Sequence, residues 1–258
     1  MITSDNLDKI VDFLCEYASR LMSCGVHTSR VVRNTQRVAR SQGVWITIQV
    51  FRRHITMTVS VEETGQFVTR LMKVPKAPIS FSRNSALSSL SWLAYDNKPS
   101  LDVLKEKYQQ ILEKPKLPPF LVLVLASLAN MSFCQLFGGG FVAMMIVLTG
   151  TAIGFYLKQK MGQWKSNLFT IFIMSSFVAS LFCAVLSNYL LGPEQIVIVM
   201  STSILYLIPG VPLVNGVIDI IEGHIMIGVS RLVDATLLIF SIAVGLGTTL
   251  AIFKDSLL

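Results

Sequence analysis

The stretch Ile208-Pro209-Gly210-Val211-Pro212 interrupts an apolar run that otherwise has the pattern of a membrane-spanning helix. The apolar residues ahead of it, from 196 to 208, would form only about 20 Å of helix, which is shorter than the roughly 30 Å hydrocarbon core of a bilayer. Each proline lacks a backbone donor, so a regular helix cannot continue through this point. The pattern predicts one broken span over residues 196–221.

Two polar side chains follow the break on the face that carries Pro212. Asn215 and Asp219 lie three and seven residues after that proline, a spacing that places all three on one side of a helix. A carboxylate within a span is costly, and many transporters place their sites at broken helices. We therefore predict a substrate or proton path here. The alternative is that Asp219 lies hydrated at the cytoplasmic membrane surface.

Charge divides the chain into two parts. Residues 1–117 hold 17 of the 22 Lys and Arg, whereas the other 141 residues hold five. The polar, acidic start of the chain does not have the pattern of a secretory signal. We predict a small α+β domain over 1–117, with helices at 4–23, 29–42, 85–95 and 100–113, a hairpin over 44–61 and a third strand at 66–74. Residues 118–258 are predicted to form a transmembrane domain.

The transmembrane domain is predicted to be a five-helix bundle with one helix broken by prolines. The expected spans are 119–137, 139–157, 168–191, 196–221 and 228–253. Lys114 and Lys116 precede the first span, and Lys158, Lys160 and Lys165 are assigned to the loop after the second. The positive-inside rule then places the amino-terminal domain in the cytoplasm and the carboxyl end outside. An odd number of spans suits one half of an inverted-repeat transporter, so a membrane partner or a second copy of the chain is expected.

Four further polar residues are candidates for the path. Asn130 and Gln135 in the first span could line it, or could hydrogen-bond across helices. His224 could titrate near neutral pH, or could be an exposed loop residue. Arg231 could pair with Asp234 in one helix, which would be a structural role.

The composition argues against several other functions. The four cysteines show no paired or metal-ligand spacing, so no metal, disulfide or cofactor is expected. The motifs of common hydrolases, nucleotide-binding proteins and ATP-driven pumps are not found, and the chain is not expected to be an enzyme. A stripe of arginines without a nucleic-acid motif would face anionic lipid or solvent, and its members are Arg30, Arg33, Arg37 and Arg40.

Three segments resemble the threonine/serine exporter family. Residues 24–31 (CGVHTSRV) are similar to that family's "G-x-x-T-x-R" motif, residues 133–139 to the end of its first span, and residues 208–231 to its most distinctive membrane segment. The resemblance implies an inner-membrane exporter driven by the ion gradient. It also implies that this chain is the larger subunit of a split form that works with a small membrane protein.

The resemblance leaves the small-molecule substrate open between threonine or serine and a dicarboxylate such as succinate. Because Arg231 is the one candidate base predicted in the spans, the sequence favours the amino acid. A third hypothesis is a membrane-anchored subunit that binds a ligand without transporting it. The candidate path residues are Pro209, Gly210, Pro212, Asn215, Asp219, His224, Arg231, Asn130 and Gln135.

Overall fold

The computed structural model describes residues 4–62, 65–115, 117–164 and 166–253. The amino-terminal elements are α1 (Ser4–Ser23), α2 (Thr28–Ser41), β1 (Trp45–Val50), β2 (His54–Ser60), β3 (Phe67–Lys73), α3 (Phe81–Asn97) and α4 (Leu101–Glu113). The apolar elements are α5 (Pro119–Leu136), α6 (Phe141–Gln163), α7 (Leu168–Leu190), α8 (Pro193–Ser203), a 3-10 turn (Leu205–Leu207), α9 (Gly210–Ile221) and α10 (Ile225–Ile252).

The chain divides into two compact units that are discontinuous in sequence. Unit 1 combines Met1–Pro115 with Val211–Val233, and unit 2 combines Lys116–Gly210 with Asp234–Leu258. The domain boundary predicted from composition, between residues 117 and 118, lies between the two segments of unit 1. Most of α9 and the first part of α10 therefore fold with the amino-terminal residues.

Unit 1 has its core between α1 and a small antiparallel sheet. One face of α1 is fully buried, and β2 directs Ile55, Met57 and Val59 inward while its alternate residues stay partly exposed. The strand order is β1-β2-β3, with Ile48 opposite Met57 and Met57 opposite Arg70. The predicted hairpin and third strand are thus confirmed, because alternation of apolar residues sets a period of two.

Helices α2, α3 and α4 and part of α10 complete this core. Leu87 of α3 and Tyr108 of α4 are fully buried, and Ile227 of α10 belongs to the same cluster. The Tyr17 hydroxyl donates to the Leu87 carbonyl at 2.8 Å, which satisfies a buried polar group. The third helix begins at Phe81, earlier than predicted, since the Ser80 hydroxyl accepts from the Arg83 amide.

Unit 2 is a helical assembly in which α6 packs against α5, α7 and α8. Gly150 and Gly154 let α7 come close to α6, because a Cβ at either position would overlap Cys183 or Ala179 of α7. Small residues at such crossings are typical of helices that pack in a bilayer.

Four described helices are long and apolar enough to cross a membrane: α5, α6, α7 and α10. A fifth span arises if α8 with its 3-10 turn and α9 count as one, and these are bent by 62° at the break. Pro209 precedes α9, and Pro212 lies in its first turn, where the missing amide would have no helical partner. The predicted break is confirmed, while the exact number of spans stays a prediction.

The second span was predicted too short. The assignment of Lys158 and Lys160 to a loop is wrong, because α6 continues to Gln163. Aromatic rings surround the Lys158 ammonium at 5.1 to 5.6 Å, so the charge does not end the helix. The last helix begins at Ile225 rather than 228, directly after His224. Lys116 and Lys165, which also entered the orientation argument, lie outside the described residues.

Candidate functional site

The polar residues after the break hold the loop between α1 and α2. Gly25 adopts a positive φ of 83° and ends α1, and the chain then turns through Val26 and His27 into α2. The Asn215 amide donates to the Gly25 carbonyl at 2.8 Å, and the Arg231 guanidinium donates to the Val26 carbonyl at 2.8 Å. We call Asn215, Asp219 and Arg231 the polar clamp.

Asp219 closes the clamp at the amino terminus of α2. Its Oδ1 accepts from the Thr28 amide at 2.6 Å. The neighbouring His27 makes no side-chain cap, and the first turn of α2 has no acidic residue. A carboxylate at this position satisfies an orphan amide and stabilises the positive end of the helix dipole. Asp219 therefore acts as a cap supplied from a distant part of the chain.

The same carboxylate forms a buried ion pair. Oδ2 lies 3.3 Å from Arg231 Nε, and the Asp219 side chain is 0% exposed while that of Arg231 is 13% exposed. This oxygen lies within ion-pairing distance but lacks a hydrogen bond of proper geometry. A buried pair of this kind loses much hydration energy, so it is a weak device for stability alone.

A second ionic group borders the clamp. Glu222 lies 3.7 Å from the Arg33 guanidinium and 4.0 Å from His27 Nε2. The Ser29 hydrogen bond is the main cause that lowers the Glu222 pKa, with help from the positive charges nearby. Burial lowers the His27 pKa, because it disfavours the imidazolium, although Glu222 opposes this effect.

The hairpin formed by α9 and α10 positions the clamp. Gly223 has a φ of 86° and ends α9, and the His224 amide donates to the Asp219 carbonyl at 2.7 Å. Gly216 and Gly228 bring the two helices together, since a Cβ on Gly228 would lie 2.7 Å from the Gly216 carbonyl. The half-buried His224 side chain lies at this turn.

The other candidates from the sequence lie in unit 2. Asn130 donates to Thr151 at 3.2 Å and to the carbonyl of Ser203, the last residue of α8, at 3.3 Å. Thr151 donates to the same carbonyl at 3.3 Å, so the backbone group at the end of α8 is satisfied from α5 and α6. Asn130 thus bonds across helices, one of its two predicted roles. Gln135 is exposed near the end of α5, Pro209 is buried and Gly210 is exposed.

Sequence reasoning placed Asn215 and Asp219 on one face but did not identify what that face contacts. It offered Asp234 as a partner of Arg231 within one helix and did not connect Arg231 with Asp219, whose Oδ2 lies 3.3 Å from Arg231 Nε. It also did not include Glu222 among the candidates. The available signal was the pair of family motifs, because residues 208–231 contain the polar clamp and residues 24–31 contain the backbone groups that it binds.

Comparison with known proteins gives one family and a few relatives. Residues 12–253 match the model of the family described as "Putative threonine/serine exporter". A protein of Escherichia coli (strain K12) named "Probable succinate transporter subunit YjjP" is 24% identical over 233 residues, covering 90% of each chain. Its Klebsiella aerogenes namesake is 23% identical and covers 92% of each.

A longer relative is similar to this chain over part of its length. The Mycobacterium tuberculosis protein named "Probable threonine/serine exporter" is 23% identical over 92% of this chain but only 45% of its own length. No solved structure matches this chain.

Proposed function

The chain belongs to the threonine/serine exporter family, and from this premise we propose that it is one subunit of a secondary transporter that exports threonine or serine. Family membership confirms the resemblance predicted from the motifs. It also confirms a membrane transporter rather than an enzyme, and it favours transport over an anchored binding subunit. The remaining points of the proposal concern partner, driving force and site.

The proposed partner is a small membrane protein that supplies the second half of the transporter. Two observations support it: relatives of equal length carry the word subunit in their names, and the longer relative has about twice the matched length. A unit with five spans would need an inverted second half to complete an inverted repeat. We place the complex in the inner membrane with the amino terminus in the cytoplasm.

The buried ion pair between Asp219 and Arg231 carries the functional proposal. An acid that is 0% exposed in the second arm of a broken span is expensive, and such residues commonly serve proton or substrate paths. Oδ2 has no hydrogen bond of proper geometry among the described residues, so a proton could bind there while Oδ1 stays in contact with the Thr28 amide. We assign Asp219 the role of proton acceptor in a process driven by the proton motive force.

Protonation of Asp219 would change the clamp in a defined way. Neutral Asp219 loses its attraction for Arg231 and weakens its cap on the positive end of α2. Arg231 still donates to the Val26 carbonyl and contacts the Met22 sulfur. Proton uptake by Asp219 would thereby weaken the contacts that bind α9 and α10 to the loop between α1 and α2. Pro209, Gly210 and Pro212 interrupt the helix ahead of α9, so α9 can change its contacts with this loop without being a rigid continuation of α8.

Dicarboxylate export is the second candidate. It is favoured by the two relatives of matching length, whose names specify succinate. Threonine and succinate share a carboxylate, so both substrates require a cationic or hydrogen-bonding group on the protein.

The test removes the negative charge of the Asp219 side chain and keeps its size and shape. We expect Asp219→Asn to abolish export of labelled threonine and of labelled succinate, because an amide cannot carry the proton, while the protein remains inserted in the membrane. Glu222→Gln is the matched control, since it removes an exposed acid three residues away and should retain export. Survival of both export activities in Asp219→Asn would contradict the site, and absence of both in the native complex would contradict the function.

A further inference from the structure

A lysine in unit 2 lies among aromatic rings. Lys158 Nζ is 5.6 Å from the ring centre of Phe155, 5.1 Å from that of Phe172 and 5.4 Å from that of Tyr206. Within the described residues, no carboxylate forms an ion pair with it. Ring faces stabilise a cation, but they do not neutralise it. The ammonium is therefore able to bind an anion.

Two hydroxyls of unit 2 are buried and have no hydrogen-bond partner among the described residues. They are those of Tyr206, in the 3-10 turn before the break, and Ser175, in α7. The two are neighbours, but they do not reach hydrogen-bond geometry with each other. A Cβ on Gly154 would lie 2.5 Å from the Tyr206 hydroxyl and 3.0 Å from the Ser175 carbonyl. The glycine thus leaves the space that the tyrosine hydroxyl occupies.

The three groups lie in neighbouring positions. Gly154 and Lys158 are four residues apart on α6 and therefore share one helix face. The Tyr206 ring is within reach of Lys158, and its hydroxyl lies at Gly154, where α6 meets α7. Lys158 therefore adjoins the Tyr206 ring, and the Tyr206 hydroxyl lies at Gly154 next to Ser175 of α7.

We propose that Lys158, Ser175 and Tyr206 form a binding site for the carboxylate of the exported metabolite, an inference that rests on the proposed transport function. Carboxylate oxygens accept from ammonium and hydroxyl donors in short charge-assisted bonds. The aromatic rings of Phe155 and Phe172 would cover the carbon chain of the ligand. The group bound here is anionic, because a substrate ammonium would be repelled by Lys158.

This site adds a cation that the sequence reading had assigned to a loop. The preference for an amino acid over a dicarboxylate depended on Arg231 as the single base in the spans. Arg231 is engaged by Asp219 and Val26, whereas Lys158 has no ion-pair partner in the part of the chain that the structure describes. A carboxylate site at Lys158 suits both substrates, since each carries at least one such group.

The site is tested first by binding to the full chain in lipid nanodiscs. Thermal-shift titrations use succinate, threonine and the uncharged analogue succinamide, in phosphatidylcholine and in phosphatidylglycerol discs. We expect succinate or threonine, and not succinamide, to raise the unfolding temperature in phosphatidylcholine. Lys158→Gln and Tyr206→Phe should weaken this binding by about tenfold or more, since each removes one donor to the carboxylate. Lys160→Gln, which changes a lysine two residues away, should leave it unchanged.

The other outcomes overturn the proposal. A stabilisation that appears only with phosphatidylglycerol would mean that Lys158 binds lipid phosphate. Equal carboxylate affinity in Lys158→Gln and Lys160→Gln would mean that Lys158 does not bind the ligand. An unchanged carboxylate affinity in Tyr206→Phe would mean that the Tyr206 hydroxyl does not donate to the ligand. If carboxylate binding depends on Lys158 but the complex exports neither threonine nor succinate, the binding site is supported and the transport function is contradicted.

Discussion

At the scale of single residues, His27 and Glu222 make the stability of unit 1 dependent on pH. Burial lowers the pKa of His27 below its ordinary value of 6.5, and the Ser29 hydrogen bond lowers that of Glu222 below 4.5. A lowered folded-state pKa means that protons bind the unfolded chain more readily. The stability from His27 is therefore present above its unfolded pKa of 6.5 and lost as the pH falls through the folded value.

We expect His27→Gln to reduce the loss of thermal stability between about pH 7 and pH 5, because the titrating group is gone. The unfolding temperature of the full chain in detergent measures this effect. His54→Gln, in the sheet, is the control and should keep the native slope. Equal slopes for the native chain and His27→Gln would contradict the assignment.

The same residue scale shows the limit of sequence reasoning. Asp219 was predicted as a site residue because an acid within an apolar segment can be recognised from the sequence alone. Its partner, the Thr28 amide, is 191 residues away, and no local period connects the two. For the same reason the sequence did not connect Arg231 with Asp219, which is twelve residues earlier and in the preceding helix.

At the scale of secondary-structure elements, the crossing of α9 and α10 depends on two glycines. A Cβ on Gly228 would meet the Gly216 carbonyl at 2.7 Å and the Ile220 amide at 3.0 Å, and both are backbone atoms. We expect Gly228→Ala to destabilise the chain by about 1–3 kcal/mol, the usual cost of overpacking. Gly247→Ala is the control in the same helix, because its Cβ would meet nothing within 4 Å. Equal unfolding temperatures for the two variants would contradict the close crossing.

Elements were predictable where their signal is local. Alternation identified the hairpin, and two prolines identified the break, since both act through the backbone of adjacent residues. The end of α6 was missed because Lys158 carries a charge that usually marks a loop. Rings from α7 and the 3-10 turn cover that charge, and such cover arises only after folding.

At the scale of the whole molecule, the orientation in the membrane can be tested with two cysteines. Gly162 lies at the end of α6 and Gly192 between α7 and α8, both exposed and with no atom within 4 Å of an added Cβ. The four native cysteines are buried and should react little. We expect a membrane-impermeant maleimide to label Gly192→Cys on intact cells, and Gly162→Cys only after the membrane is opened. The reverse pattern would place the amino terminus outside.

The return of Val211–Val233 to unit 1 also affects which parts of such proteins are interchangeable. A fragment that ended at residue 117 would lack Ile227 from its core and would leave the Gly25 and Val26 carbonyls without their side-chain donors. The amino-terminal region thus shares its core and two backbone hydrogen bonds with the distant segment Val211–Val233. In recombination between relatives, it would have to be inherited together with a segment that lies almost 100 residues further along the gene product.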